Sequence, residues 1–180
     1  AHILPELKVK TYKPQRAFHD LFVTAALLGD WARERPGNVK IVTEQEMVAL
    51  DLGELPKELR REREHQPDGL WIFGSDKLTR GIALEVELTG KSSSRYEQIC
   101  SYYTGQFFFE HVVWIVESRT LANRILDDSR RYGMPREGVH LFILAESFKE
   151  LGWQSSFLNR SMEGKTFANL LSQKARGSLA

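Results

Sequence analysis

At 180 residues, with 25 Lys and Arg against 24 Asp and Glu and a net charge of +1, the chain is long enough for one compact domain. Its charge balance neither demands nor excludes nucleic acid, so any basic surface must be a local patch. One cysteine, Cys100, excludes an internal disulfide framework or a Cys-based zinc site; no run nears the roughly 20 apolar residues of a membrane span, and no signal-peptide pattern is present, so a cytoplasmic location is expected.

Residues 1–16 read as an irregular lead-in, broken by Pro5 and Pro14. Phe18, Leu21, Phe22, Ala25, Leu28 and Trp31 recur at helical spacing and predict a helix over 17–34, stopped by Pro36-Gly37. Val39–Val42 is a short strand. Thr43 and Glu46 have the spacing of a capping box that opens a short helix. Residues 51–66 are highly charged, with Pro56 starting a helix through Leu59–Glu64.

Two strands follow, 70–74 and 80–89, joined as a hairpin through Gly74-Ser75-Asp76. Ser94 reads as an N-cap with Glu97 at the box position. Tyr96, Ile99, Cys100, Tyr103 and Phe107 make the apolar stripe of a helix to about 109. The continuously apolar Val112–Val116 suits a strand covered on both faces. Ser118 starts a helix to Tyr132, and Val139–Leu144 is a second buried strand.

Strand alternating with helix from 80 to 144 implies parallel crossovers, and the hairpin before it an antiparallel start. The expected fold is α/β: a central mixed β-sheet flanked by helices. All 180 residues are expected to form one domain, with 145–180 as a peripheral extension in which Trp153, Phe157, Leu158 and Phe167 could still pack.

The chemistry concentrates between His65 and Tyr96. In the strand 80–89, Ile82, Leu84, Val86 and Leu88 share one face; Ala83, Glu85, Glu87 and Thr89 share the other. Two alternate positions place the carboxylates of Glu85 and Glu87 ~7 Å apart. Hairpin pairing would bring Asp68 towards Glu85. Converging carboxylates repel, and a divalent cation, a paired Lys or Arg, or a raised pKa relieves the repulsion. Hard oxygen ligands suit magnesium or manganese, which can activate water for phosphodiester hydrolysis. The plainer alternative is an amphipathic strand whose acids face solvent, neutralised by Lys77, Arg80 or Lys91.

Pro67-Asp68, then Glu85-Val86-Glu87 on an apolar strand, then a helix, resembles the PD-(D/E)XK nuclease superfamily. The resemblance implies a restriction-endonuclease-like core, a metal held by Asp68 and Glu85, and a third residue that places the attacking water. That third position is usually Lys and here is Glu87, with Lys91 as a replacement ammonium. The superfamily often adds an acid from an early helix, for which Glu44 and Glu46 are the candidates, Glu46 also being the capping-box residue.

A narrower resemblance, over about 18–116, is to the replication-relaxation family of plasmid and mobile-element proteins. It is carried in order by Phe18-His19-Asp20-Leu21, Thr43–Glu46, His65–Gly69, Glu85–Glu87 and the helix with Tyr102-Tyr103. It implies a winged-helix DNA-binding segment upstream, so the chain, which opens on Ala1, is expected to start downstream of one.

His65 could contact a phosphate or orient Asp68. His19 is read as a packed or hydrogen-bonded histidine, and His111 and His140 as structural. Lys91 with Arg95, and Ser94 at a helix N-terminus, are the candidate phosphate contacts. Arg60, Arg61 and Arg63 read as a salt-bridged solvated helix. The expected function is a magnesium- or manganese-dependent DNA endonuclease-like domain. The alternative is a non-catalytic DNA-binding or assembly domain of a plasmid replication, mobilisation or transposition system. Expected partners are DNA, a second copy in a homodimer, and proteins of such a complex.

Overall fold

The computed structural model describes residues 14–49, 65–73, 80–105, 108–131 and 138–177. Five strands, β1 (Val39–Thr43), β2 (Gly69–Phe73), β3 (Arg80–Glu87), β4 (Phe109–Val116) and β5 (His140–Leu144), form one sheet in sequential order. β1–β2 and β2–β3 pair antiparallel; β3–β4 and β4–β5 pair parallel. The sheet is therefore mixed, as the alternation of elements implies. The described helices are α1 (Pro14–Leu28), α2 (Glu44–Ala49), α3 (Ser93–Thr104), α4 (Arg119–Arg130), α5 (Ala145–Leu151) and α6 (Phe167–Gly177). Among the described residues no helix is long and apolar enough to cross a membrane.

Each face of the sheet has its own core. The crossover helices α3 and α4 cover one, where Tyr96, Ile99, Tyr103, Leu121 and Ile125 meet Ala83, Val112, Trp114 and Phe142. On the other, α1, α5 and α6 bring Phe22, Leu27, Phe148, Phe167 and Leu171 against Trp71, Leu84, Val113 and Ile143. Period-two alternation in β3 and β4 feeds both cores. Both strands are largely apolar because neither face meets water, with Glu85 and Glu87 as the buried exceptions in β3.

The C-terminal part differs from the expected peripheral extension. Phe167 is fully buried, with its ring against Trp71, Trp153, Phe148 and Phe157. Trp153 Nε1 donates to the Ala26 carbonyl at 2.8 Å, tying this segment to α1. Within it α6 turns Phe167, Leu170, Leu171 and Ala175, which recur at helical spacing, into the core. The first helix is also shorter than expected. It stops at Leu28, and a 3-10 turn follows over Gly29–Ala32. Gly29 sits at φ +38°, and a Cβ there would overlap the Trp153 indole.

Helix starts follow side-chain chemistry. Thr43 and Glu46 close the capping box, with Thr43 N donating to Glu46 Oε2 at 2.7 Å and Glu46 N to Thr43 Oγ1 at 3.2 Å. Ser118 caps α4 through Leu121 N. The cap of α3 is Ser92, not the expected Ser94: its Oγ accepts from Arg95 N at 3.3 Å. The helix expected through Leu59–Glu64, the turn Gly74–Asp76, and the ends at Phe107 and Tyr132 lie outside the described residues, as do Lys77, Arg60, Arg61 and Arg63.

Candidate functional site

Asp68 stands in the bend that leads into β2. Its N–H donates to the Leu84 carbonyl at 3.0 Å, next to the last β2–β3 pair, Gly69 with Leu84. Its Oδ2 accepts from Val86 N at 2.7 Å, the amide between Glu85 and Glu87. The residue after it has to be small. A Cβ on Gly69 would come within 2.6 Å of the Leu27 side chain, so glycine lets α1 settle onto the start of β2. That approach carries His19, on the same helix, to Asp68.

Glu85 and Glu87 do not face solvent. They are 5 % and 3 % exposed, on the β3 face that α3 covers. Two donors meet at one oxygen of Glu85: His65 Nε2 lies 2.6 Å from Oε1, and the Tyr103 hydroxyl donates to the same atom. Burial pushes the Glu85 carboxyl above its ordinary range; His65 opposes that rise and the nearby Asp68 charge adds to it. Burial likewise raises Glu87, against the hydrogen bond and charge of Lys91, whose ammonium is paired with Glu87 Oε2. Lys91 N also donates to Tyr96 Oη at 2.9 Å, which fixes the turn that carries the ammonium back. Tyr103 is held protonated, chiefly by burial and then by the charge of Glu85.

Asp68 has a different partner. His19 Nε2 lies 3.3 Å from Asp68 Oδ2, and its Nδ1 3.5 Å from Asp20 Oδ1. The hydrogen bond with Asp68 raises the imidazole to about 9, against the opposing effect of burial. Both residues line a cleft of about 140 Å3 with Thr24, Thr43, Glu44 and Gln45. Of the three acids Asp68, Glu85 and Glu87, Asp68 is the one on its wall.

Comparison with known proteins adds no neighbour. No family model, curated protein or solved structure matches the chain.

The fold gathers Asp68, Glu85, Glu87 and Lys91 at one end of β3. It does not bring in Glu46, whose carboxylate is taken up by Thr43; the acid of α2 that reaches the cleft is Glu44. His65 has its side chain packed against Glu85, with Nε2 on Oε1 of that carboxylate rather than on Asp68. Arg95 is exposed and bonded to Gln98, and Ser94 is exposed beside Ser92 Oγ. Arg124 from α4 joins this surface, donating to Ser93 Oγ at 3.2 Å and lying 5.6 Å over the Tyr96 ring.

Two contributors were missed as site residues by the sequence reading. His19 carries no local sign of its role, since its partner is 49 positions away; the Phe-His-Asp-Leu motif was its one pointer. Tyr103 looks like any aromatic of a helix stripe. Its hydroxyl matters only once β3 places Glu85 beneath α3.

Among the described residues no three His, Cys, Asp or Glu side chains converge as a ready-made metal cage. Asp68 and Glu85 do supply carboxylate oxygens, the donor type that a hard cation takes. The charge of Asp68 raises the carboxyls of both Glu85 and Glu87, and a cation would relieve that repulsion.

Proposed function

We propose that this is a PD-(D/E)XK-type, metal-dependent DNA endonuclease-like domain that hydrolyses phosphodiester bonds. The observation that carries the proposal is the bond from Val86 N to Asp68 Oδ2. It locks the acid that precedes β2 beside the strand that bears Glu85 and Glu87, and Lys91 returns its ammonium to the same strand end.

Asp68 and Glu85 are the pair to hold magnesium or manganese, which when bound lowers the pKa of a water and offsets charge developing on the phosphate. The protein's own groups prepare this arrangement. Val86 N and His19 fix Asp68, His65 and Tyr103 fix Glu85, and Glu87 with Lys91 orients the attacking water in place of the usual Lys. The cleft beside His19 gives a ligand access to Asp68. Lys91, Arg95 and Ser94 remain the proposed contacts to the DNA backbone. The link to plasmid or mobile-element DNA rests on the sequence resemblance alone.

Supercoiled plasmid incubated with the protein and magnesium or manganese tests this. Nicking by the parent and none by Asp68→Asn or Glu85→Gln is the expected result. No nicking at any metal concentration, with a melting temperature that metal leaves unchanged, overturns it.

One observation favours a second reading, a non-catalytic DNA-binding or assembly domain. Each acid already has a partner within the protein: His19 for Asp68, His65 and Tyr103 for Glu85, Lys91 for Glu87. Gel-shift binding that persists in Asp68→Ala, with no cleavage by the parent, would select it.

A further inference from the structure

We infer, on the strength of the nuclease reading, that His65 and Tyr103 are positioning residues that clamp one oxygen of Glu85 so that the other is presented to a divalent cation beside Asp68. Both bonds fall on Oε1, and they come from opposite sides in sequence. His65 lies 20 positions before Glu85 and Tyr103 lies 18 after it, on α3. Coordination of a cation then falls to Oε2.

Neutralising a buried carboxylate does not require this arrangement. Two positions along the same strand, Glu87 pairs through Oε2 with the flexible Lys91 and is also bonded to the Thr89 backbone and the Tyr96 side chain. Glu85 instead receives two rings on a single atom, and both rings are held by further rings. His65 meets the Tyr102 and Tyr103 rings at 5.8 and 5.7 Å, and Tyr103 meets Phe109 at 5.0 Å and His140 at 6.3 Å, all edge-on. The His65 and Glu85 side chains are 8 % and 6 % exposed, so water does not compete freely for these bonds. A glutamate has three rotatable side-chain bonds. Fixing one oxygen by two bonds restricts the swing of the other. Side chains that orient a metal ligand in this way, without touching the metal, typically change its affinity by about 10–100-fold when lost.

Manganese titration of the full chain, followed by the loss of the free-ion electron paramagnetic resonance signal, separates the outcomes. Tyr103→Phe removes only a hydroxyl, and His65→Gln keeps a polar side chain without the ring. Each is expected to raise the manganese dissociation constant about 10–100-fold, measured where the variant is fully folded. Asp68→Asn serves as the reference. Unchanged manganese affinity in both Tyr103→Phe and His65→Gln, with binding lost in Asp68→Asn, overturns the positioning role and leaves the nuclease reading standing. No manganese binding by the parent chain overturns both.

Discussion

His140 makes stability acid-sensitive by an amount that can be worked out. It is buried in β5, where its Nδ1 accepts from Trp114 Nε1 at 3.0 Å and its Nε2 has no hydrogen-bond partner among the described residues. Burial lowers its pKa from 6.5 to about 4. The folded state thus disfavours the proton that the unfolded chain accepts, and stability falls as pH drops below 6.5. The loss is about 2 kcal/mol at pH 5 and about 3 kcal/mol at pH 4. His111, also lowered by burial, acts in the same direction; Glu85 and Glu87, raised by burial, act in the opposite one. A variant is therefore needed to isolate His140. His140→Asn keeps an acceptor near the Nδ1 position and does not titrate. Urea unfolding followed by tryptophan fluorescence should show the parent's free-energy lead over His140→Asn shrinking by about 2 kcal/mol between pH 7 and 5. Parallel pH profiles would refute the reasoning.

Two further outcomes follow from the same packing and charges. Phe167→Ala should cost about 3–5 kcal/mol in urea unfolding, because the ring fills a fully buried site between Trp71, Trp153, Phe148 and Phe157; a cost below about 1 kcal/mol would return the C-terminal segment to the periphery. His19, raised to about 9 by Asp68, lends stability that is fully present below pH 6.5 and lost as pH rises through 9. In chelator, the melting-temperature gap between the parent and His19→Gln should close from pH 6 to pH 10, and a gap that stays constant would contradict the His19–Asp68 pairing.

Local pattern was enough for much of this molecule. Period two in β3 puts Ile82, Leu84 and Val86 on one face and Glu85 and Glu87 on the other, whatever covers them. The continuous apolar runs of β4 and β5 require cover on both faces. Thr43 with Glu46, and Ser118, mark helix starts through bonds that span three residues. These features are legible because the interactions that cause them are short in sequence.

Tertiary structure decided the rest. The same alternation allowed Glu85 and Glu87 to line a solvent face, and only the return of α3 over β3 buries them. The choice of Ser92 over Ser94 as the cap depends on where the chain leaving β3 turns, which composition leaves open. The His19–Asp68 contact spans 49 positions and depends on Leu27 seating against Gly69. Glu85 and Tyr103 meet because a parallel crossover lays α3 back across its own strand. The sequence by itself determined which strand carries the acids and which side they share. The fold alone determined that Asp68 reaches the Val86 amide, that His19 answers Asp68 and that His65 and Tyr103 answer Glu85, because each of those contacts joins elements that local periodicity cannot orient relative to one another.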